Sequence, residues 1–302
     1  MPTICLPDAD AVRLASPLPE DVEVLTWDGS GSPPETIERT EFWVPADGFS
    51  PTAAARVMPR LRVVQALSAG VDELIGLIPD GVILCDARGV HGGATSEWVL
   101  TAILASLREF PAFVRDQARR ECNPHTTDEL QGKRVLVIGA GDLGQQTARR
   151  LRAFDAEPRL VARHARDDVH AIADVPDLLR DADIVVLVLP LTEETRHTVD
   201  RDFLARMHDG ALLVNAARGA VVVTEDLLAE LESGRLRAAL DVTDPEPLPP
   251  DHTLWGAPNL LLTPHVGGNV RGLPARAYAL VHDQIGRYAA REPLINVVEG
   301  AY

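Results

Sequence analysis

Three short segments carry side chains able to move protons and hold anions. The first reads Val214-Asn215-Ala216-Ala217-Arg218-Gly219, the second Leu240-Asp241-Val242-Thr243-Asp244-Pro245-Glu246-Pro247-Leu248, and the third Leu262-Thr263-Pro264-His265-Val266-Gly267-Gly268. Each follows an apolar run of strand character. In a doubly wound parallel sheet, ligands bind beyond the carboxyl ends of the strands, so Arg218, Glu246 and His265 are drawn towards one site. An arginine offers permanent charge and planar donors to a carboxylate, and an imidazole exchanges a proton near neutral pH. Taken singly, each has a plainer reading. His265 is a histidine after a proline, Glu246 a loop acid among prolines, and Arg218 a charge at a strand end.

A second signal lies upstream. The run Arg134-Val-Leu-Val-Ile138 enters Gly139-Ala140-Gly141-Asp142-Leu143-Gly144, which is GxGxxG after a strand and at the start of a helix. Gly139 permits the tight turn, Gly141 lets the backbone approach a pyrophosphate, and Gly144 allows close helix–strand packing. The helix N-terminus adds free N–H groups and positive dipole. Asp142 inside the motif is expected to face solvent. The next strand ends in Val161-Ala162-Arg163-His164-Ala165-Arg166. The acidic residue that usually holds a ribose 2′-hydroxyl is missing there. A cluster of Arg163, His164 and Arg166 suits a 2′-phosphate instead, which favours NADP(H) over NAD(H).

The elements that must position these groups are legible as alternating apolar runs and helical stretches. Strands are expected at Thr3–Leu6, Val22–Trp27, Glu41–Val44, Val63–Ala66 and Val82–Cys85, with helices at 53–58 and 71–75 among them. A second series runs through Arg134–Ile138, Arg159–Ala162, Ile184–Leu189, Ala211–Asn215, Ala238–Asp241 and Leu260–Thr263. Helices are expected at 143–154, 175–180, 201–207 and 225–233, with Thr224 as N-cap of the last. A longer helix starts near Ala94 with Trp98, Val99, Ala102, Ile103 and Leu107 at 3/4 spacing. Pro111 is expected to bend or stop it. Residues 119–132 read as a loop, and 273–290 as a terminal amphipathic helix. Strand–helix alternation of this kind predicts parallel sheets.

Composition narrows the class. The chain has 302 residues, 46% hydrophobic and 25% charged, a length that suggests two domains. Lys and Arg number 29 against 45 Asp and Glu, a formal net charge of −16. That disfavours nucleic acid and anionic membrane as partners, because both need a cationic face. Lys133 is the only lysine. Cys5, Cys85 and Cys122 lie far apart without metal-ligand spacing, so no disulfide framework and no metal site is expected. A reducing cytoplasm fits them, and the N-terminus lacks the features of a signal peptide.

Taken in order, these motifs resemble the D-isomer-specific 2-hydroxyacid dehydrogenase family. The likeness begins at Leu67-Ser68-Ala69-Gly70-Val71-Asp72 and at Gly89-Val90-His91 through Glu97. It continues through the glycine motif, Leu189-Pro190-Leu191-Thr192, and the three segments around Arg218, Glu246 and His265. It implies an α/β protein of two doubly wound parallel-sheet domains. The substrate domain would be flavodoxin-like, residues 1–97 completed by 274–302, and the Rossmann cofactor domain would be 98–273. It implies that His265 is the acid/base, Glu246 its tautomer-fixing partner, and Arg218 the binder of the substrate carboxylate and polariser of the keto oxygen. Ser68, Ala69 and Gly70 would help hold the substrate. Cofactor contacts would come from Gly139, Gly141, Asp142, Leu143, Gly144, Arg163, His164, Arg166, Leu189, Pro190, Ala216, Ala217, Asp241, His265 and Gly267, with Asp241 facing the nicotinamide carboxamide.

The implied reaction is hydride transfer between NADP(H) or NAD(H) and a small 2-oxo or D-2-hydroxy acid, of glyoxylate, hydroxypyruvate or substituted-pyruvate type, in a homodimer. Cys122 stands where many relatives carry tryptophan. A glutamate rather than a glutamine beside the histidine speaks against formate dehydrogenase. The alternatives are a nucleotide-sensing binding protein like the C-terminal-binding corepressors, and a phosphite- or formate-type enzyme of the same fold.

Overall fold

Runs of Val, Ile and Leu bounded by Gly, Pro and Asp become parallel strands covered on both faces, as their near-continuous apolar character requires. In the computed structural model, which describes residues 1–46 and 56–298, two units form: Met1–His91 with Arg271–Tyr302, and Gly92–Val270. The strands are β1 (Thr3–Leu6), β2 (Glu23–Thr26), β3 (Thr40–Trp43), β4 (Val63–Gln65), β5 (Ile83–Cys85), β6 (Arg134–Ile138), β7 (Glu157–Ala162), β8 (Val169–Ala171), β9 (Ile184–Leu187), β10 (Leu212–Asn215), β11 (Arg237–Leu240) and β12 (Leu260–Leu262). The longer helices are α1 (Ala9–Ala15), α2 (Gly92–Leu107), α3 (Phe110–Arg119), α4 (Asp142–Arg152), α5 (Arg201–Arg206), α6 (Thr224–Glu232) and α7 (Leu273–Ala290).

The first unit is a five-stranded sheet in the order β2-β1-β3-β4-β5, all parallel. Asp8 starts α1 by accepting the Ala11 N–H at 2.7 Å, satisfying one of the donors a helix start leaves open. The terminal helix α7 returns to this sheet. Its Tyr278, Val281 and Ile285 pack with Ile4, Leu6 and Phe42. Within that core Gln284 Nε2 donates to Gln65 Oε1 at 2.8 Å. Both side chains are fully buried, so their pairing removes a desolvation cost of about 1–3 kcal/mol.

The second unit is a seven-stranded sheet in the order β12-β11-β10-β9-β6-β7-β8. Because successive side chains of a strand point to opposite faces, Val135 and Val137 of β6 pack with Val99, Ile103 and Leu107 of α2 and Leu151 of α4. Leu136 and Ile138 pack on the other face with Leu204 of α5 and Leu227 and Leu231 of α6. The result is three layers, helix–sheet–helix.

Several expectations are corrected in detail. Helix α2 begins at Gly92, and residue 97 lies inside it, while 273 is the first residue of α7. The chain therefore passes between units at 91/92 and 270/271, since a continuous helix packs as one piece. Glu97 lies in the second turn of this helix and pairs with Arg150 at 3.4 Å. Pro111 does not end α2 but sits in the first turn of α3, where its missing N–H costs nothing. The three-residue strand β8 has one buried position, too little apolar pattern to be read from sequence. Thr224 does not cap α6; it is the first helical residue, and the N-cap position falls on Val223. The helix expected at 53–58 lies largely outside the described residues.

Candidate active site

Strands β10, β11 and β12 are neighbours, and each ends just before one of the three segments. Beyond β10, buried Asn215 folds the chain: its Oδ1 accepts the Ala217 N–H at 3.0 Å and its Nδ2 donates to the Arg218 carbonyl at 2.9 Å. The Ala216 N–H donates to the Leu187 carbonyl of β9 at 3.1 Å. Arg218 leaves this turn with extended backbone (φ −141°, ψ 146°), partly buried, and its Nη1 donates to the Ala217 carbonyl at 2.9 Å.

Beyond β12, His265 sits at φ +53°, a left-handed conformation that costs a non-glycine residue about 1–3 kcal/mol and must be over-determined by its surroundings. Asp241, at the end of β11 and 3% exposed, supplies that. Its carbonyl accepts the His265 N–H at 2.7 Å. Its carboxylate accepts from the Thr263 hydroxyl (2.5 Å), the Val266 N–H (2.9 Å) and the Gly267 N–H (2.7 Å). Asp241 is thus the brace of the His265 turn.

The ring of His265 meets Glu246 across the gap between the two loops, with Nδ1 to Oε1 at 2.7 Å. The side chains are 48% and 35% exposed respectively, so the ring keeps an open edge. Carboxylate at Nδ1 fixes that nitrogen as the N–H and leaves Nε2 for a reacting group. Glu246 is itself positioned by its neighbours. The Thr224 hydroxyl donates to the Asp244 carbonyl at 2.7 Å, and the Thr243 hydroxyl to the Pro245 carbonyl at 2.9 Å. The sequence alone does not mark Asn215 and Thr224 as site residues. The only signal was a polar residue ending each apolar run. A cavity of about 380 Å³ lies against the pair, with Pro247, Leu248, Trp255, Leu262 and Pro264 on its walls.

The glycine-rich turn follows β6. Gly139 has φ +118° and passes so close to the Val188 carbonyl that no side chain fits. Gly144 lies against the Gly139 carbonyl with the same consequence. The turn therefore brings backbone, not side chains, to the start of α4, whose N-cap is Gly141. Asp142 is exposed, as its solvent-facing expectation had it, and Leu143 is half-buried. Acid in the first turn and Arg149, Arg150 and Arg152 in the last complement the helix dipole. Bare N–H groups at a glycine cradle fit a dinucleotide pyrophosphate.

At the neighbouring end of β7, Arg166 Nη2 donates to the Ala140 carbonyl of the glycine turn at 2.9 Å. Arg163 approaches Glu194 at 3.4 Å, and His164 is exposed. Leu189 is partly buried, and Pro190 is exposed, its carbonyl accepting the Thr195 hydroxyl at 2.7 Å. In the first unit, Ser68, Ala69 and Gly70 form the turn beyond β4, and the Ser68 carbonyl accepts the Ala87 N–H at 2.9 Å. Among the described residues no group of His, Cys, Asp and Glu is placed to hold a metal ion.

A parallel sheet with a glycine turn at its switch point and an imidazole–carboxylate pair beyond the strands three and four places away defines a dinucleotide-dependent class. Comparison with known proteins places the chain within it. Residues 100–267 match the model of the D-isomer specific 2-hydroxyacid dehydrogenase NAD-binding domain. The chain is 35% identical to a glyoxylate reductase of Thermofilum pendens, over 80% of this chain and 73% of that one. It superposes with a TM-score of 0.83 on a D-isomer specific 2-hydroxyacid dehydrogenase of Xanthobacter autotrophicus Py2 in complex with NADPH and MES, at 30% identity and covering 99% and 98% of the two chains. A similar likeness links it to an NADPH-dependent glyoxylate/hydroxypyruvate reductase of Sinorhizobium meliloti in complex with NADP and sulfate (TM-score 0.83, 29% identity, 99% and 98% covered). The chain belongs to the D-isomer specific 2-hydroxyacid dehydrogenase family.

Proposed function

We propose that the protein is a reductase of small 2-oxo acids that prefers NADP(H), with glyoxylate, hydroxypyruvate or a substituted pyruvate as substrate and Arg218, Glu246 and His265 as its catalytic residues. As a family member it is an oxidoreductase that transfers hydride between a nicotinamide cofactor, NADP or NAD, and a 2-oxo or 2-hydroxy acid. The observation that carries the residue assignment is the 2.7 Å contact of His265 Nδ1 with Glu246.

When bound, the cofactor supplies or accepts the hydride at the substrate's carbonyl carbon. The chain does the rest. Arg218 binds the substrate carboxylate and polarises the keto oxygen through its fixed charge and planar donors. Backbone N–H groups of Ser68, Ala69 and Gly70 take part in holding that carboxylate. His265 delivers a proton from Nε2 to the developing alkoxide, or removes it in the reverse direction. Glu246 holds the Nδ1–H, stabilises the charged ring and keeps its plane. Asp241 and Asn215 hold the two turns from which the imidazole and guanidinium project, and Asp241 also faces the nicotinamide carboxamide. Gly139, Gly141, Asp142, Leu143 and Gly144 present their backbone to the pyrophosphate. Leu189, Pro190, Ala216, Ala217 and Gly267 line the rest of the cofactor's path. Arg163, His164 and Arg166 would face the adenosine ribose, where the end of β7 itself offers a 2′-phosphate cations and carries no fingerprint acid. The apolar walls beside the His265–Glu246 pair suit an alkyl or aryl substituent on the pyruvate.

The assembly we propose is a homodimer. Its support is α3, none of whose residues is fully buried and which leaves Phe110 60% and Val114 64% exposed. We place the protein in the cytoplasm, in keeping with free thiols at Cys5, Cys85 and Cys122. Nucleic acid and membrane are not among its partners on the charge argument, and no helix among the described residues is long and apolar enough to cross a membrane.

The test is a panel of 2-oxo acids with NADPH and NADH, followed by absorbance. Turnover is expected with NADPH, and His265→Ala is expected to lower kcat by at least about 100-fold. Cofactor binding without turnover of any 2-oxo acid favours the nucleotide-sensing alternative instead.

A further inference from the structure

The cation expected to meet a 2′-phosphate already has an anionic neighbour. Arg163 leaves the end of β7 with its side chain 65% exposed, and its Nη2 lies 3.4 Å from Oε2 of Glu194, itself 68% exposed. Glu194 is not a loose surface acid. It belongs to a closed turn after Leu189-Pro190-Leu191, in which the Thr192 N–H donates to Thr195 Oγ1 at 2.7 Å and the Thr195 N–H to Thr192 Oγ1 at 3.2 Å. The Thr192 hydroxyl donates to the Glu194 carboxylate at 2.7 Å. That hydroxyl above all, with Arg163 contributing, holds the Glu194 carboxyl below the ordinary carboxylate range. Arg166 meanwhile is committed to the Ala140 carbonyl. Of the two arginines, Arg163 is the one whose partner is a side chain that an incoming anion can replace.

We propose that Glu194 sets cofactor selectivity by competing with the 2′-phosphate of NADP(H) for the Arg163 guanidinium. The inference rests on reading the end of β7 as the adenosine-ribose site. A phosphate dianion takes the guanidinium in a two-point contact that a single carboxylate oxygen at 3.4 Å does not match. It must still displace that carboxylate and then sit close to its negative charge. NAD(H), with a hydroxyl at the same position, meets no such penalty. Glu194 therefore narrows a preference that Arg163 creates, and the acid missing from the strand end is in part replaced from the neighbouring loop.

The test is calorimetric titration of NADP⁺, NAD⁺ and 2′-AMP into the full-length protein and its Glu194→Gln, Glu193→Gln and Arg163→Ala variants. Gln keeps an oxygen for the Thr192 hydroxyl. Glu194→Gln is expected to tighten NADP⁺ and 2′-AMP by about fivefold, the scale of an exposed ion pair plus a removed repulsion, and to leave NAD⁺ within about twofold. The gain is expected to shrink at high salt, where exposed charges are screened. Glu193→Gln changes net charge equally and is expected to leave all three ligands within about twofold. Unchanged or weaker NADP⁺ binding in Glu194→Gln, with Arg163→Ala having lost its NADP⁺ preference, overturns the inference alone. Equal tightening by Glu193→Gln overturns it as well, because the effect is then net charge. Arg163→Ala with its NADP⁺-to-NAD⁺ ratio intact overturns the reading of the ribose site and the inference with it.

Discussion

At the scale of single residues, the site is a set of strained or exposed groups held by buried ones. His265 sits in a left-handed conformation braced by the Asp241 hydrogen bonds, and Glu246 reaches it from a loop tied down by Thr224. Glu246→Gln keeps the shape and removes the charge that stabilises the imidazolium. It is expected to lower kcat by about 10- to 100-fold, at the low end of acid–base contributions, while the cofactor Kd stays within about twofold. Steady-state kinetics beside a fluorescence titration separates the two. Thr224→Val removes one hydrogen bond worth about 1 kcal/mol, so kcat is expected to fall about fivefold with little loss of thermal stability. An unchanged kcat there means that the Glu246 loop is held by other contacts.

Elements matter through what they forbid. Helix α4 can start where it does only because Gly144 lets it lie against the Gly139 carbonyl. In Gly144→Ala either the helix or the turn must shift. NADP⁺ affinity is therefore expected to fall at least about tenfold, a loss of about 1.4 kcal/mol, and a chain that binds as tightly as wild type shows that the turn has slack. The glycine motif and the apolar runs of β6, β9 and β10 were legible because buried parallel strands need consecutive apolar residues. β8 and α3 were not. β8 buries one residue, and α3 fully buries none.

For the whole molecule, the exposed Phe110 and Val114 of α3 make the assembly testable. Light scattering is expected to give twice the chain mass, and the double variant Phe110→Asp with Val114→Asp to give a folded monomer. Wild-type protein running as a monomer ends the dimer proposal. Burial also sorts the thiols. It pushes Cys5 up to about 12 and Cys85 up to about 11, so both stay protonated at neutral pH and out of reach of an alkylating reagent. Cys122 is exposed. Brief treatment of native protein with iodoacetamide is expected to leave one adduct, which peptide mass spectrometry locates at Cys122. Labelling of Cys5 or Cys85 at a comparable rate means that the first unit opens readily.

The order of motifs along the chain was enough to settle the family, the α/β architecture and the dinucleotide class, because glycine turns and buried strands depend on local sterics and apolar pattern. Which polar side chains serve the site was a different matter. Asn215, Thr224 and Glu194 act through hydrogen bonds and an ion pair to residues from 2 to 31 positions away, and their residue types alone do not mark them. Asp241 was visible as a motif residue, yet its three-bond grip on the His265 turn follows from β11 and β12 lying side by side. A short polar side chain acquires its role from what the fold brings within 3 Å of it, and that information resides in the packing of strands rather than in the order of residues.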